Sequence, residues 1–419
     1  MNLWSAKGER IPRGISTPVY VTRGPIPLVS VLIATFNRSR LVPRAIKSVL
    51  NQTFDDFEIV VIDDCSSDDT REVIARIRDP RIRYFRNDTN VGAAHGDRAH
   101  VRRFVYELMR GKYFAYLCDD DYWLLDNLLE RQVWMHETNP DLAFVFGNQL
   151  SHVLTTPESY LGGSPNCPVT LTREKLSDYV DITNNRSKSP HLDFYPKLFP
   201  KEIMTSGEYL TRFSTEPTTY NRIDGATLFS RAAFIKGGAF GSPAGSRWQA
   251  GFEFKIGPAC VGGVGYIDEP AILTEIRGQN ASFRGTQLDH YLDSIKSIEV
   301  AFSVPLANGT SSQRNRFLRR IKARTIRNLT RAYLGNTVTI RGANPLMMCS
   351  AEHMAKPVTA RHVLPILWRS NVWPRARDIE LLCQAEFQRG SIPLSSGTLG
   401  RVARQMGSIT ATIRAKKLS

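Results

Sequence analysis

Ala115-Tyr116-Leu117-Cys118-Asp119-Asp120-Asp121-Tyr122-Trp123 sets an apolar, aromatic run against three consecutive carboxylates. The run begins at Tyr113 and reads as a buried strand that stops at the acids. Three adjacent acids at a strand end repel one another and are costly to desolvate unless a cation sits among them. Oxygen-only ligands suit Mn²⁺ or Mg²⁺, which commonly bridge a protein carboxylate to a substrate diphosphate. Taken alone, such a triplet is more often a solvated acidic turn. What precedes it in the chain decides between the two.

Working outward, Leu28-Val29-Ser30-Val31-Leu32-Ile33-Ala34 reads as a fully buried parallel-type strand with Thr35-Phe36-Asn37-Arg38 as its polar exit. Leu41, Ala45, Ile46, Val49 and Leu50 recur at helical spacing. Phe57 to Ile62 forms a second strand ending in Asp63-Asp64, and Ser66-Ser67-Asp68-Asp69-Thr70 caps a helix expected over Arg71 to Ile77. Ile82-Arg83-Tyr84-Phe85 is a third strand, followed by Asn90-Val91-Gly92 and a longer helix through Met109. This rhythm predicts an open α/β sheet with parallel strands, whose ligands bind beyond the carboxyl ends. Thr35 to Asn37, Asp63 with Asp64, Asn90 with Gly92, and Asp119 to Asp121 all fall at that edge. Four polar clusters converging there point to a nucleotide site.

The 419 residues exceed one ordinary core, so two or three domains are expected. A hydrophobic fraction of 42% and a charged fraction of 23% are those of globular protein. The six cysteines are scattered with no C-x-x-C pair, which argues against a disulfide framework or a zinc site and fits a reducing compartment. The absence of a signal-like segment in Met1 to Arg23, or of any membrane-length apolar run, leads to an expectation of a cytoplasmic protein, peripheral to the inner membrane face at most. The formal charge of +15 favours phosphate-rich partners: nucleotides, nucleic acid or an anionic membrane.

Residues 27 to about 150 resemble an inverting family 2 glycosyltransferase of the GT-A fold. The resemblance rests on Val29 to Arg38, on Ser48-Val49-Leu50-Asn51-Gln52-Thr53, on Glu58 to Thr70, on Asn90-Val91-Gly92 and on Asp119-Asp120-Asp121-Tyr122-Trp123, in order and at compatible spacings. It implies a GT-A type, Rossmann-like, open and mostly parallel sheet flanked by helices, with a basic, mainly helical C-terminal region appended. It further implies a nucleotide-sugar pocket of Thr35, Asn37, Asp64, Asn90, Gly92 and Arg98, with Asp64 on a uracil or thymine base and Asp119 near the ribose. Asp120 and Asp121 would hold the Mn²⁺ or Mg²⁺ on the sugar diphosphate. Cys118 stands where many relatives have another Asp. The implied organisation is an N-terminal arm over 1–26, a nucleotide-sugar half over 27–150, an acceptor half with an insertion over 151–299, and the basic region over 300–419.

Asp224-Gly225-Ala226-Thr227-Leu228-Phe229-Ser230-Arg231, Lys236-Gly237-Gly238, Gly265 to Pro270 and Arg277-Gly278-Gln279-Asn280-Ala281-Ser282 resemble the family's acceptor half. The acidic pair that usually supplies the catalytic base is replaced by Gln249 and Ala250, which leaves Glu253 as the nearest carboxylate, and Gln279 replaces the usual His. Residues 150 to about 222 read as an acceptor-side insertion with loops. No Asp or Glu occurs between Ala301 and Ala351, while Arg314, Arg316, Arg319, Arg320, Lys322, Arg324, Arg327 and Arg331 share one expected helix. A basic amphipathic helix reads as a membrane-surface or polyanion-binding element, or as a packed helix with a solvated face. The leading expectation is transfer from a UDP- or dTDP-sugar to a glycan or lipid-linked saccharide. The alternatives are a nucleic acid or protein acceptor, and a non-catalytic nucleotide-sugar-binding protein.

Overall fold

In the computed structural model the described residues are 15–20, 25–91, 107–154, 201–215, 225–237 and 250–277. To these are added 175, 178, 180–181, 186–189, 192–194, 315–316 and 319–320. Nearly all belong to one of the chain's two compact units, that of Met1–Arg284 with Val300–Asn315.

The first elements are β1 (Ile15–Tyr20), β2 (Val29–Thr35), α1 (Val42–Leu50), β3 (Phe57–Asp63), α2 (Thr70–Ala75), β4 (Ile82–Asn87) and β5 (Tyr113–Cys118). All seven residues of β2 and of β3 are buried, as strands covered on both faces require. Parallel pairing joins β4 to β3, β3 to β2 and β2 to β5. α1 begins with a proline in its first turn and buries Val42, Ala45, Ile46 and Val49, the stripe its spacing predicted. α2 ends two residues earlier than expected and starts at Thr70, whose amide donates to the Asp68 carboxylate at 3.1 Å. Of the helix expected after Gly92 and through Met109, residues 92–106 lie outside the described residues, and Glu107 is helical.

Next come β6 (Tyr122–Trp123), α3 (Leu128–Thr138), β7 (Leu142–Leu154), the short β8 (Val180–Asp181), β9 (Arg186–Ser187), β10 (Leu192–Phe194) and β11 (Ile203–Met204). They are followed by α4 (Ser206–Thr215), β12 (Thr227–Ser230), α5 (Arg231–Lys236), α6 (Ala250–Ala259) and β13 (Gly263–Arg277). The large sheet runs β1-β4-β3-β2-β5-β12-β7-β13-β11. β12 is antiparallel to both β5 and β7, and β13 is parallel to β7. The two reversals cancel, so β7 and β13 point the same way as β2 and deliver their carboxyl ends to the same edge. Gly147 lets these long strands approach: a Cβ there would meet the Ala271 Cβ at 2.3 Å. The sheet is therefore mixed but mostly parallel, with helices on it, as expected.

The chain passes from β2 outward to β3 and β4, then returns to the other side of β2 as β5. That reversal opens a crevice at the carboxyl ends of β2 and β5, the place where open α/β sheets bind ligands. Among the described residues no helix is long and apolar enough to cross a membrane.

Candidate active site

The exits of β2 and β3 are locked together before any ligand is considered. Asp64 donates its amide to the Thr35 carbonyl at 2.8 Å, and Asn37 donates its amide to Ser66 Oγ at 2.9 Å. Asn37 Oδ1 accepts from the amides of Ser67 (2.8 Å) and Asp68 (3.4 Å). Both exits turn through the left-handed region, at Asn37 (φ 52°) and Cys65 (φ 67°). A left-handed Cys costs on the order of 1 kcal/mol and persists because the surrounding bonds fix it. Asn37, expected at the pocket, stands at this edge and its side-chain oxygen joins the two loops.

The neighbouring acids divide their labour. Asp63 is fully buried, accepts from the Tyr84 hydroxyl and takes the Ser66 amide at 2.7 Å, so it holds the turn. Asp64, also fully buried, uses Oδ1 to accept from Asn87 Nδ2 (2.7 Å) and from the Val91 amide (2.9 Å). Those two bonds fix the orientation of its carboxylate and tie the Asn90-Val91 segment to β3. Thr35 is buried at the end of β2, and Asn90 is exposed on the rim. Gly92 and Arg98 lie outside the described residues, as does the side chain of Glu253 in α6.

Asp119 to Asp121 follow β5 directly. Asp119 is 8% and Asp121 7% exposed, and among the described residues Oδ2 of the first and Oδ1 of the second have no hydrogen-bond partner. Burial, and then the charge of Asp120, push the Asp119 carboxyl up to about 7; Arg38, Thr35 and the Phe36 amide pull it only partly back. Burial followed by the charges of Asp120 and Glu275 raises Asp121 well above the usual carboxylate range. Ligand atoms of Cys118, Asp120 and Asp121 lie within 4.8 Å of one another. Buried oxygens left without donors, in a cluster of mutually repelling carboxylates, fit a divalent cation.

Two residues not anticipated from the sequence shape this corner. Arg44 of α1 donates from Nη1 to Glu275 Oε1 (2.7 Å) and from Nη2 to the Asp120 carbonyl (3.0 Å), and its guanidinium stacks on Tyr122 at 4.4 Å. Glu275 is fully buried on β13. The only hint in the sequence was a single acid inside the apolar run Ala271 to Ile276. β6 pairs with β13 at Tyr122 and Trp123, and Trp123 Nε1 donates to the Gly225 carbonyl at 2.7 Å. The acids are thus clamped between α1 and β13.

Residues 30–238 match the family model described as "Glycosyl transferase family 2". WcaA of Escherichia coli strain K12 is 38% identical over 193 residues, which is 44% of this chain and 64% of that protein. The Escherichia coli UDP-Glc:alpha-D-GlcNAc-diphosphoundecaprenol beta-1,3-glucosyltransferase WfaP is 35% identical over 111 residues, 26% of this chain and 42% of that one. The chain therefore spans less than two thirds of the length of these curated relatives. The crystal structure of S. aureus TarS 1-349 in complex with UDP-GlcNAc is alike in fold, with a TM-score of 0.51 at 13% identity, over 90% of this chain and 91% of that one. The motif order, the switch-point crevice with its acids and these matches agree: the chain belongs to glycosyl transferase family 2 and has the GT-A fold.

Proposed function

We propose that this chain is a metal-dependent inverting glycosyltransferase that moves a sugar from a UDP- or dTDP-linked donor to a glycan or lipid-linked saccharide. One observation carries the reading: buried carboxylates with unpartnered oxygens stand at the sheet's switch point, on the same edge as an oriented Asp64. The activity for which WfaP is named, from UDP-Glc to a diphosphoundecaprenol-linked sugar, supports both the donor and the acceptor class.

In this reading Asp64 pairs with the base, held in place by Asn87 and Val91. Thr35, Asn37, Asn90, Gly92 and Arg98 surround the nucleotide, and Asp119 meets the ribose. Asp120 and Asp121 would hold the Mn²⁺ or Mg²⁺, which would supply positive charge against the negative charge that grows on the diphosphate leaving group. Glu253 takes the proton of the acceptor hydroxyl as that oxygen attacks the anomeric carbon. Arg44 keeps the backbone of Asp120 at fixed distance from β13.

Calorimetric titration with UDP, dTDP, GDP and CDP, each with and without Mn²⁺, tests the donor half. UDP or dTDP is expected to bind only with the metal, and Asp120→Asn is expected to lose that dependence. Equal nucleotide affinity in Asp120→Asn would remove the metal assignment. Binding of none of the four would remove the donor site itself. Glu253→Gln should keep donor affinity while transfer falls about 10²–10⁴-fold, the usual contribution of a general base.

A further inference from the structure

Cys118 is the last residue of β5, one position before the acids. Its Sγ lies within 4.8 Å of carboxylate oxygens of both Asp120 and Asp121, and it is not in a disulfide. Asp121 is more than nine-tenths buried, and among the described residues its Oδ1 has no hydrogen-bond partner. The strand geometry brings Cys118 to this point for a specific reason. Asp121 donates its amide to the Cys118 carbonyl at 3.2 Å, closing a turn that folds the three ligand atoms toward one another.

A site of two carboxylates and one thiol differs in kind from an all-oxygen site. Mg²⁺ is bound by oxygen, whereas a thiolate selects borderline and soft cations such as Zn²⁺, Co²⁺ and Cd²⁺. A cation held by these three side chains would have fewer protein ligands than a closed structural zinc site.

We propose that Cys118 is a protein ligand of this metal site, and that its sulfur shifts the site's preference away from Mg²⁺ toward thiophilic divalent cations. The inference rests on the metal reading above and adds to it which cation the chain selects. Cd²⁺ is the probe: it displaces the thiol proton on binding, and the new sulfur–cadmium bond carries a charge-transfer absorption in the ultraviolet that carboxylates lack.

The experiment is a Cd²⁺ titration of the metal-free full chain without nucleotide, read as the difference spectrum between the parent and Cys118→Ser. A saturating band is expected in the parent at one equivalent and is expected to be missing from Cys118→Ser, with Cd²⁺ affinity down by about tenfold or more, as for loss of a metal-site partner. Cys118→Asp should reverse the order, with affinity for Mg²⁺ relative to Cd²⁺ rising by about tenfold. Far-ultraviolet circular dichroism confirms that both variants are folded. Mn²⁺ binding in a parent that shows no Cys118-dependent cadmium band would overturn this inference and leave the metal reading intact. Absence of Mn²⁺ and Cd²⁺ binding alike would overturn both.

Discussion

Burying Asp119 and Asp121 on either side of Asp120 raises the proton affinity of both carboxyls, so their charged forms oppose folding, a cost that the proposed cation would offset. A carboxyl raised in the folded state contributes stability below its unfolded value, and that stability is lost as pH rises through the folded value, about 7 for Asp119. At pH 8 in the presence of a chelator, Asp121→Asn is therefore expected to stabilise the protein by about 1 kcal/mol, the scale of gain seen when a functional site is relieved. Thermal midpoints read this, and in the variant added Mn²⁺ should no longer raise the midpoint. A lower midpoint would mean that Asp121 serves the fold. His136 tests the opposite sign. It is 2% exposed, faces the Leu228 carbonyl at 3.1 Å and stacks on Tyr113, and burial lowers its pKa to about 4. As pH falls from 6.5 toward 4 the unfolded chain takes up a proton that the folded chain refuses, so stability is lost in that window. Between pH 7 and 4.5 the parent should lose about 2 kcal/mol more than His136→Gln, measured by urea denaturation at each pH. Equal losses would assign the acid sensitivity to other groups.

Between elements, the tie that matters most joins α1 to β13. Arg44 and Glu275 are 231 residues apart and form a 2.7 Å ion pair with Glu275 fully buried. Arg44→Ala leaves that carboxylate without its cation and is expected to cost about 3 kcal/mol, whereas the double change Arg44→Met with Glu275→Met should recover most of it. Denaturation midpoints of the single and double variants decide the point, and equal destabilisation by both would show that shape rather than charge is at stake. This pair also marks where the sequence stops being legible. The strands β2 to β5 could be read because each is a short, wholly buried run, and α1 because its apolar residues recur at i, i+3 and i+4. The acids could be placed because parallel sheets bring every strand's carboxyl end to one edge. β7 and β13 were not anticipated at their 13- and 15-residue lengths. Their second halves bury Asn148, Gln149, Ser151, His152 and Glu275, which erase the apolar pattern that marks a strand. β7 runs on through position 150, the expected junction of the nucleotide-sugar and acceptor halves. Arg44 was equally hidden, since only the register of β6 on β13 brings Glu275 to it. Asn37 was visible as a polar residue at the right edge. That its oxygen is taken up by two loop amides depends on a second loop 30 residues away.

For the molecule as a whole, the charge of +15 bears on how the chain would reach the lipid-linked acceptor proposed above. The expected basic helix falls largely outside the described residues, but Arg316, Arg319 and Arg320 are helical and exposed. Each basic side chain near an anionic leaflet contributes about 1 kcal/mol, and the attraction decays over a Debye length of about 8 Å at physiological salt. Co-sedimentation with phosphatidylglycerol-containing vesicles should therefore be strong at about 0.05 M salt and weak at about 0.5 M, with little binding to phosphatidylcholine alone. The triple change Arg316→Gln, Arg319→Gln, Arg320→Gln keeps good helix formers and should weaken vesicle binding by roughly a hundredfold, from about 3 kcal/mol of lost attraction. UDP binding should be unchanged in that variant, because the donor acids lie in the other unit of the chain. Vesicle binding that is indifferent to the triple change would make these arginines a solvated face only. Loss of both activities together would instead mean that the helix supports the donor site.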